Sequence, residues 1–405
     1  MKTDALKKLA KNGGSRVRPA AMPARLAFGE AEYAAIGEVY RHYRERRTDP
    51  GYQGHFEARY CKAFVDFMGG GHADAVATGT SALYVALAAL SLPEGSEVLL
   101  SPITDPGCVS AIILNRLVPR LMDARPGAYN VGVEQFVARI TPATRVAVVV
   151  HSAGQPAPIA EIAAEARKRA IRVIEDCSQA HGARVEGRPV GTFGDIAAFS
   201  TMYRKAHMTG ASGGVVYTQD LDLFRLALAH ADRGKPRWRE DFDDRDPSGY
   251  LFPALNHHTD EISCAIGEAS LARLPETIAR RLRFVSGLDG LYKRSNHCRP
   301  IGWSAGDSPF IYPIFVNTEG LACTVRDVAE AVRIEGIDLN PSYAYLVADW
   351  AWAKRYLADA FACPNARAAR DSSFCLYLNE NYGEREVEDA IAAILKVERA
   401  YSLVG

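Results

Sequence analysis

Short apolar runs alternating with helical patterns constrain the fold of this chain more than any other feature of its sequence. Ala73 to Thr78 is one such run, and it turns at Gly79-Thr80 into the helical text SALYVALAAL. Glu97 to Ser101 and Arg145 to His151 read as buried strands, the second almost wholly β-branched in RVAVVV, with CVSAIILN between them as a returning helix. The pattern continues through the helical stretch Ala160 to Ala170, the strand RVIEDC at 172–177 and the strand candidates DIAAFS and VVYT. A helical crossover brings the chain back to the edge it left, so the strands it joins run parallel. The expectation is an α/β fold with a mainly parallel sheet covered by helices, whose sites lie at the carboxyl ends of strands. Asp176, at the end of RVIEDC, stands at such a place.

Around this alternation, Glu30 to about Arg46 and FEARYCKAFVDFM read as helices, stopped by Asp49-Pro50-Gly51 and Gly69-Gly70-Gly71. The stretch from His230 to Thr259 is polar and punctuated by Gly and Pro, a loop long enough to cover a site or an interface. A helix then starts at a Thr259 or Asp260 cap, with Ile262, Ala265, Ile266 and Ala269 on one face, and another helical region reaches about Lys293. FIYPIFV, VRDVAEAVRIEG and REVEDAIAAILKV again alternate strand and helix. The chain is thus divided into a Gly/Pro/Arg-rich leader at 1–27, a large domain at 28–285 and a smaller C-terminal α+β domain at 286–405.

With 405 residues, 48% of them hydrophobic, the chain has the material for a large domain and a smaller one. Lys plus Arg and Asp plus Glu both total 48, so the net charge calls for neither a nucleic acid nor an anionic membrane. The eight cysteines lack CxxC spacing, which fits buried thiols in a reducing cytosol rather than a metal knuckle or a disulfide framework. His257-His258 has no neighbouring acidic or cysteine ligand pattern, and no metal is expected there. The basic leader lacks the apolar stretch of a signal peptide and no run is long enough to span a bilayer, so a soluble cytoplasmic protein is expected.

Three local features offer chemistry, each with a plainer alternative. Gly79-Thr80-Ser81, at a strand-to-helix turn, presents backbone N–H groups and two hydroxyls to an anion, or is a tight turn with a polar cap. Asp176 faces a cationic partner, or caps a strand. Lys205, beside Arg204 and His207 in a Gly-rich loop, is by itself a solvated base. A phosphate-seat candidate, a carboxylate after a central strand, then a hydroxyl and a lysine in a loop resemble, in that order, one large group of enzymes that use pyridoxal 5'-phosphate (PLP), whose phosphate needs donors, whose pyridine nitrogen needs an acid to stay protonated and whose aldehyde needs a primary amine.

TGTSALYVALAAL, SPITDPGCVSAI, ITPATRVAVVVHSAGQP, VIEDCSQAHGA, FGDIAAFS and LNHHTDEISCAIG resemble, in order, the successive signatures of the DegT/DnrJ/EryC1/StrS, or sugar aminotransferase, family. The resemblance runs from about residue 28 through nearly the whole chain, and it implies the type I PLP-dependent transferase (aspartate-aminotransferase-like) fold for the large domain. It further implies that Lys205 forms the Schiff base with PLP and shuttles a proton, that Asp176 pairs with the pyridine nitrogen and that Gln179 meets a ring substituent. Ser200, five residues before Lys205, falls with Thr80 and Ser81 at the family's phosphate contacts. Asn256 matches an asparagine that reaches the phosphate of the neighbouring subunit, which implies a homodimer with shared sites.

The chain also departs from the family pattern. Asp105 stands where an aromatic usually stacks on the cofactor ring, so either Asp105 approaches the ring or substrate or another residue fills that face. The usual NYR is Asn256-His257-His258, and Ser263 replaces a common glutamine. His181 either packs near the cofactor or makes a structural hydrogen bond. Tyr343, Tyr345, Trp350 and Trp352 form either a substrate wall or an ordinary packed face.

The activity implied is transfer of an amino group from an amino acid, glutamate or glutamine, to a keto or aldehyde group of a sugar, nucleotide-linked sugar or cyclitol-like intermediate. Pyridoxamine 5'-phosphate would be the intermediate form of the cofactor. The alternatives are PLP-dependent elimination or deoxygenation, whose best-known family members carry histidine in place of the lysine, and a non-catalytic PLP-binding accessory or regulatory protein. The expected partners are a small-molecule amino donor and a carbonyl acceptor.

Overall fold

The apolar runs of the alternating region become strands of one sheet. In the computed structural model, which describes residues 6–403, these are β1 (His72–Val76), β2 (Glu97–Leu100), β3 (Val118–Leu121), β4 (Thr144–Val150) and β5 (Arg172–Asp176). A small hairpin, β6 (Arg184–Val185) and β7 (Arg188–Pro189), precedes β8 (Ile196–Ser200) and β9 (Gly214–Thr218). The large sheet has the order β1-β9-β8-β5-β4-β2-β3. Its strands run parallel from β3 to β8, whereas β9 pairs antiparallel with both β8 and β1. No helix separates β8 from β9, so the chain turns straight back and β9 reverses direction.

Covering this sheet are α1 (Glu30–Arg46), α2 (His55–Met68), α3 (Gly79–Ala89), α4 (Pro106–Leu114), α5 (Val133–Val137), α6 (Ile159–Arg167), α7 (Leu221–Ala231) and α8 (Glu261–Gly287). Strand parity decides which layer each side chain joins. Val98, Leu100, Val146, Val148 and Ile174 pack with Leu83 of α3 and Ile112 of α4. The intervening Leu99, Ala147, Val149 and Val173 pack with Phe136 of α5 and Ile159 and Ile162 of α6. Both parities are apolar because both faces are covered.

The same parity sends Glu175 and Asp176 to opposite faces. Glu175 is fully buried and its carboxylate accepts the N–H groups of Gly191, Phe193 and Gly194, each at 2.7 Å. His151 completes the arrangement: its Nδ1 accepts the Ala157 N–H at 3.0 Å, which leaves the proton on Nε2, 3.1 Å from Glu175. These atoms lie close enough to Cys177 to resemble a metal site, but the histidine and the glutamate already have protein partners.

Beyond α8 the chain builds a four-stranded antiparallel sheet from β10 (Cys298–Pro300), β11 (Ile311–Val316), β12 (Leu339–Asn340) and β13 (Ser373–Tyr377), in the order β10-β11-β13-β12. The helices that follow β11, in chain order, are α9 (Val325–Ile334), α10 (Pro364–Asp371) and α11 (Glu384–Tyr401). Three features cross the divisions read from the sequence. Leader residues Leu9 and Met22 lie in the core of this smaller unit, and buried Glu335 accepts the N–H groups of Ala10 and Val17 at 2.9 and 3.0 Å. Helix α8 is one unbroken helix through Pro275, anchored at Cys264–Leu274 in the α2 layer and at Phe284 and Val285 in the smaller core. Packing at both ends carries it past the missing proline N–H. Tyr343, Leu346, Val347 and Ala353, in turn, pack into the large core, and Trp350 and Trp352 of that segment stack with centroids 5.8 Å apart. Among the described residues no helix is long and apolar enough to cross a membrane.

Glu57 of α2 supplies a pH test of this packing. It is 4% exposed, and burial pushes its carboxyl up to about 7 from an ordinary 4.5. The folded state therefore holds the proton longer than the unfolded state, so the destabilisation is small at pH 5 and full above pH 7. Glu57→Gln is expected to raise stability by up to about 3 kcal/mol at pH 8 and much less at pH 5. Urea unfolding at the two pH values measures this, and an equal effect at both would contradict it.

Candidate active site

The carboxyl ends of β1, β2, β5 and β8 meet at a cavity of about 210 Å³. At one end is the start of α3. Thr78 caps this helix, its Oγ1 accepting the Ser81 N–H at 2.8 Å and its hydroxyl donating to Ser81 Oγ at 2.9 Å. Thr78, Gly79 and Thr80 line the cavity, and the first turn of a helix carries N–H groups without internal partners and a positive dipole end. Glycine is needed here for contact: a Cβ at Gly79 would lie 2.4 Å from Ser200 Cβ. Ser200 is thereby seated against the helix end, and its own N–H is fixed by Ser178 Oγ at 3.0 Å.

Asp176, 4% exposed, lines the same cavity. Its Oδ1 accepts the Ser178 N–H at 3.0 Å and its Oδ2 accepts the Cys108 thiol at 3.2 Å. Lys205 sits in a turn closed by its N–H to the Met202 carbonyl at 2.9 Å, and its Nζ lies 4.6 Å from the centre of the Phe310 ring. Burial lowers the lysine's pKa, against the pull of Asp176, Asp105 and Cys108. More of its amine is therefore unprotonated, and nucleophilic, than in a solvated lysine. Arg25 of the leader braces this turn from outside, donating to the Tyr203 carbonyl at 2.7 Å while pairing with Glu380 at 3.1 Å.

Gln179 and Asp105 flank the centre. Gln179 Oε1 accepts the Ala153 N–H at 2.8 Å, and its Nε2 donates to Tyr343 Oη at 3.4 Å. Tyr343 stacks on Tyr129 with centroids 5.6 Å apart. Asp105 caps α4, its Oδ1 accepting the Gly107 N–H at 2.9 Å, and its exposed carboxylate also lines the cavity.

The cavity thus gathers Thr80, Asp105, Asp176, Gln179, Ser200 and Lys205 from six separated positions. Ser81 and Asn256 do not line it. The Ser81 hydroxyl is engaged by Thr78 and lies 3.1 Å from His257 Nδ1. Asn256 is exposed, its Oδ1 accepting the His258 N–H at 3.0 Å. His258 lies 3.1 Å from the buried carboxylate of Asp232, which also binds Arg233 and Arg237 at 2.8 and 2.7 Å and so ties down the long polar loop. His181 is buried against Phe199 and His207, outside the lining. Sequence reasoning missed Thr78, Ser178, Thr104 and Cys108. The last two carry a readable signal, being four residues apart at the start of a helix.

This donor set fits PLP. The α3 N-terminus with Thr80 and Ser200 suits the phosphate, Asp176 suits the ring nitrogen, and the amine of Lys205 suits the aldehyde. Comparison with known proteins agrees. Residues 45–395 match the sequence model of the DegT/DnrJ/EryC1/StrS aminotransferase family. The chain is 31% identical over 311 residues to a GDP-perosamine synthase from Caulobacter vibrioides, covering 73% of this chain and 81% of that protein. It is 29% identical over 356 residues to an L-glutamine:2-deoxy-scyllo-inosose aminotransferase from Streptomyces kanamyceticus, covering 84% and 82%. Among solved structures, an aminotransferase from Psychrobacter cryohalolentis matches with a TM-score of 0.83 and 25% identity, over 92% of this chain and 97% of that one.

The contact between Gly79 and Ser200 is open to test. Gly79→Ala forces the α3 start away from Ser200, an overpacking of about 1–3 kcal/mol, and is expected to weaken PLP binding about tenfold. An unchanged PLP titration curve would mean that the two elements do not form the phosphate seat.

Proposed function

The chain belongs to the DegT/DnrJ/EryC1/StrS aminotransferase family and is a PLP-dependent aminotransferase, and we propose that it aminates a carbonyl carbon of a sugar, nucleotide-linked sugar or cyclitol. Glutamate or glutamine is the proposed amino donor. The observation that carries this reading is the placing of Lys205 and Asp176 in one cavity with the α3 N-terminus. The scyllo-inosose and perosamine enzymes among its relatives support a polyhydroxylated acceptor.

PLP, when bound, supplies an electrophilic carbon and a ring that accepts electrons. Asp176 holds a proton at the ring nitrogen through its carboxylate. Lys205 Nζ, with its pKa lowered by burial, takes a proton from the substrate carbon and returns one to the cofactor side, as general base and then general acid. The α3 N-terminus, Thr80 and Ser200 hold the phosphate while these protons move. Asp105, which lines the cavity in place of an aromatic, offers its carboxylate to hydroxyl groups of the acceptor.

Asn256 lies outside the cavity of its own chain and is exposed. Both facts support its contact with the phosphate of a second subunit, in a homodimer with shared sites.

The test is spectroscopic. In the PLP-loaded enzyme, the visible absorption of the lysine-linked cofactor is expected to vanish on adding glutamate or glutamine and to return on adding a keto-sugar or keto-cyclitol. Lys205→Ala should lack that absorption and lose at least about a hundredfold in turnover, and Asn256→Ala should bind PLP more weakly. Absorption indifferent to every amine would refute amino transfer, and wild-type PLP affinity in Asn256→Ala would refute the shared site.

A further inference from the structure

We propose that Cys108, oriented by Thr104, is a positioning residue that locks the Asp176 carboxylate against the ring nitrogen of PLP; the inference rests on the PLP reading above. Thr104 and Cys108 are each 2% exposed. The Thr104 hydroxyl donates to Cys108 Sγ at 2.8 Å, and Cys108 Sγ lies 3.2 Å from Asp176 Oδ2. An ionised carboxylate only accepts, and Thr104 already donates to the sulfur, so the thiol proton points to Asp176. Burial and the neighbouring Asp176 both push the Cys108 thiol well above its ordinary pKa. It therefore remains a donor across the working pH range.

The architecture around this thiol is tight. A Cβ at Gly107 would lie 2.3 Å from Thr80 Oγ1, so glycine lets the start of α4 approach the start of α3. The Thr104 N–H donates to the Tyr345 carbonyl at 3.0 Å, and Val347 N–H donates to the Pro102 carbonyl at 3.0 Å. The segment that brings Tyr343 to Gln179 thus also fixes Thr104. A continuous set of hydrogen bonds runs from that segment through Thr104 and Cys108 to Asp176.

The chemical consequence follows from the two oxygens of the carboxylate. Ser178 N–H holds Oδ1 and the thiol holds Oδ2, so the group does not rotate away from the ring. Each donor also draws on the carboxylate's charge and weakens its competition for the ring proton. With the thiol removed, the proton shifts toward Asp176 and the ring accepts electrons less well. With PLP bound, a less fully protonated ring would draw less charge from its link to Lys205, and that link would titrate at higher pH.

The test uses the PLP-loaded enzyme and the variants Cys108→Val, Cys108→Ser and Thr104→Val. In Cys108→Val, the midpoint of the pH titration of the lysine-linked absorption is expected to rise by about 0.5 pH or more. Its kcat should fall about tenfold, with KM for glutamate nearly unchanged. Cys108→Ser, which keeps a donor, should restore both, and Thr104→Val should move the midpoint in the same direction by less. A wild-type midpoint in both Cys108→Val and Thr104→Val would overturn the proposal alone, as would a serine variant that behaves like valine. Absence of the lysine-linked absorption from the wild-type enzyme would overturn the PLP reading together with it.

Discussion

A sheet covered on both faces leaves its central strands no wet side, so from Val146 in β4 and from Val173 in β5 each residue belongs to one buried layer or the other. Everything at the active site depends on this constraint. It makes the acidic end of β5 a fork: Glu175 turns into one layer and Asp176 into the other. Glu175 is absorbed by three backbone N–H groups and His151. Asp176 emerges at the carboxyl edge with one thiol and one N–H attached to it. A shift of one residue in register would exchange the two acids, and with them the structural and the chemical roles.

Burying an acid and an amine in one cavity is unfavourable unless other groups replace lost water. Here that replacement comes from loops at strand ends, and from parts of the chain far apart in sequence. Arg25 of the leader and Glu380 of the smaller unit brace the turn that carries Lys205. Tyr343 and Tyr345, also beyond α8, reach Gln179 and Thr104. The smaller unit therefore helps to build the site itself, and the leader is a strap across the molecule.

Much of this was legible in the sequence where the signal is local. The β-branched run RVAVVV and the acidic end of RVIEDC read correctly as strands, because double-sided burial demands continuous apolar text. The helices at Glu30–Arg46 and His55–Met68 were marked by their stop signals. Lys205, Ser200, Asp176, Gln179 and Thr80 were placed by the order of motifs and do share a cavity. What escaped depends on contacts between distant segments. The direction of β9 follows from a connection that holds no helix, and α8 continues through Pro275 because both ends are anchored in cores. Leader residues 9–22 read only as part of a basic, Gly/Pro/Arg-rich segment until Glu335 and Arg18 engage their partners across the chain. Cys108 reads as one more buried thiol until Thr104 and Asp176 are seen on either side of it.

We propose Lys205 as the covalent seat of PLP because, among the described residues, it is the only lysine that shares a cavity with Asp176 and the α3 N-terminus. Borohydride reduction of the PLP-loaded protein, followed by proteolysis and mass spectrometry, tests it most directly. The phosphopyridoxyl mass is expected on Lys205 alone. A stoichiometric label on any other lysine, or none despite bound PLP, would contradict it.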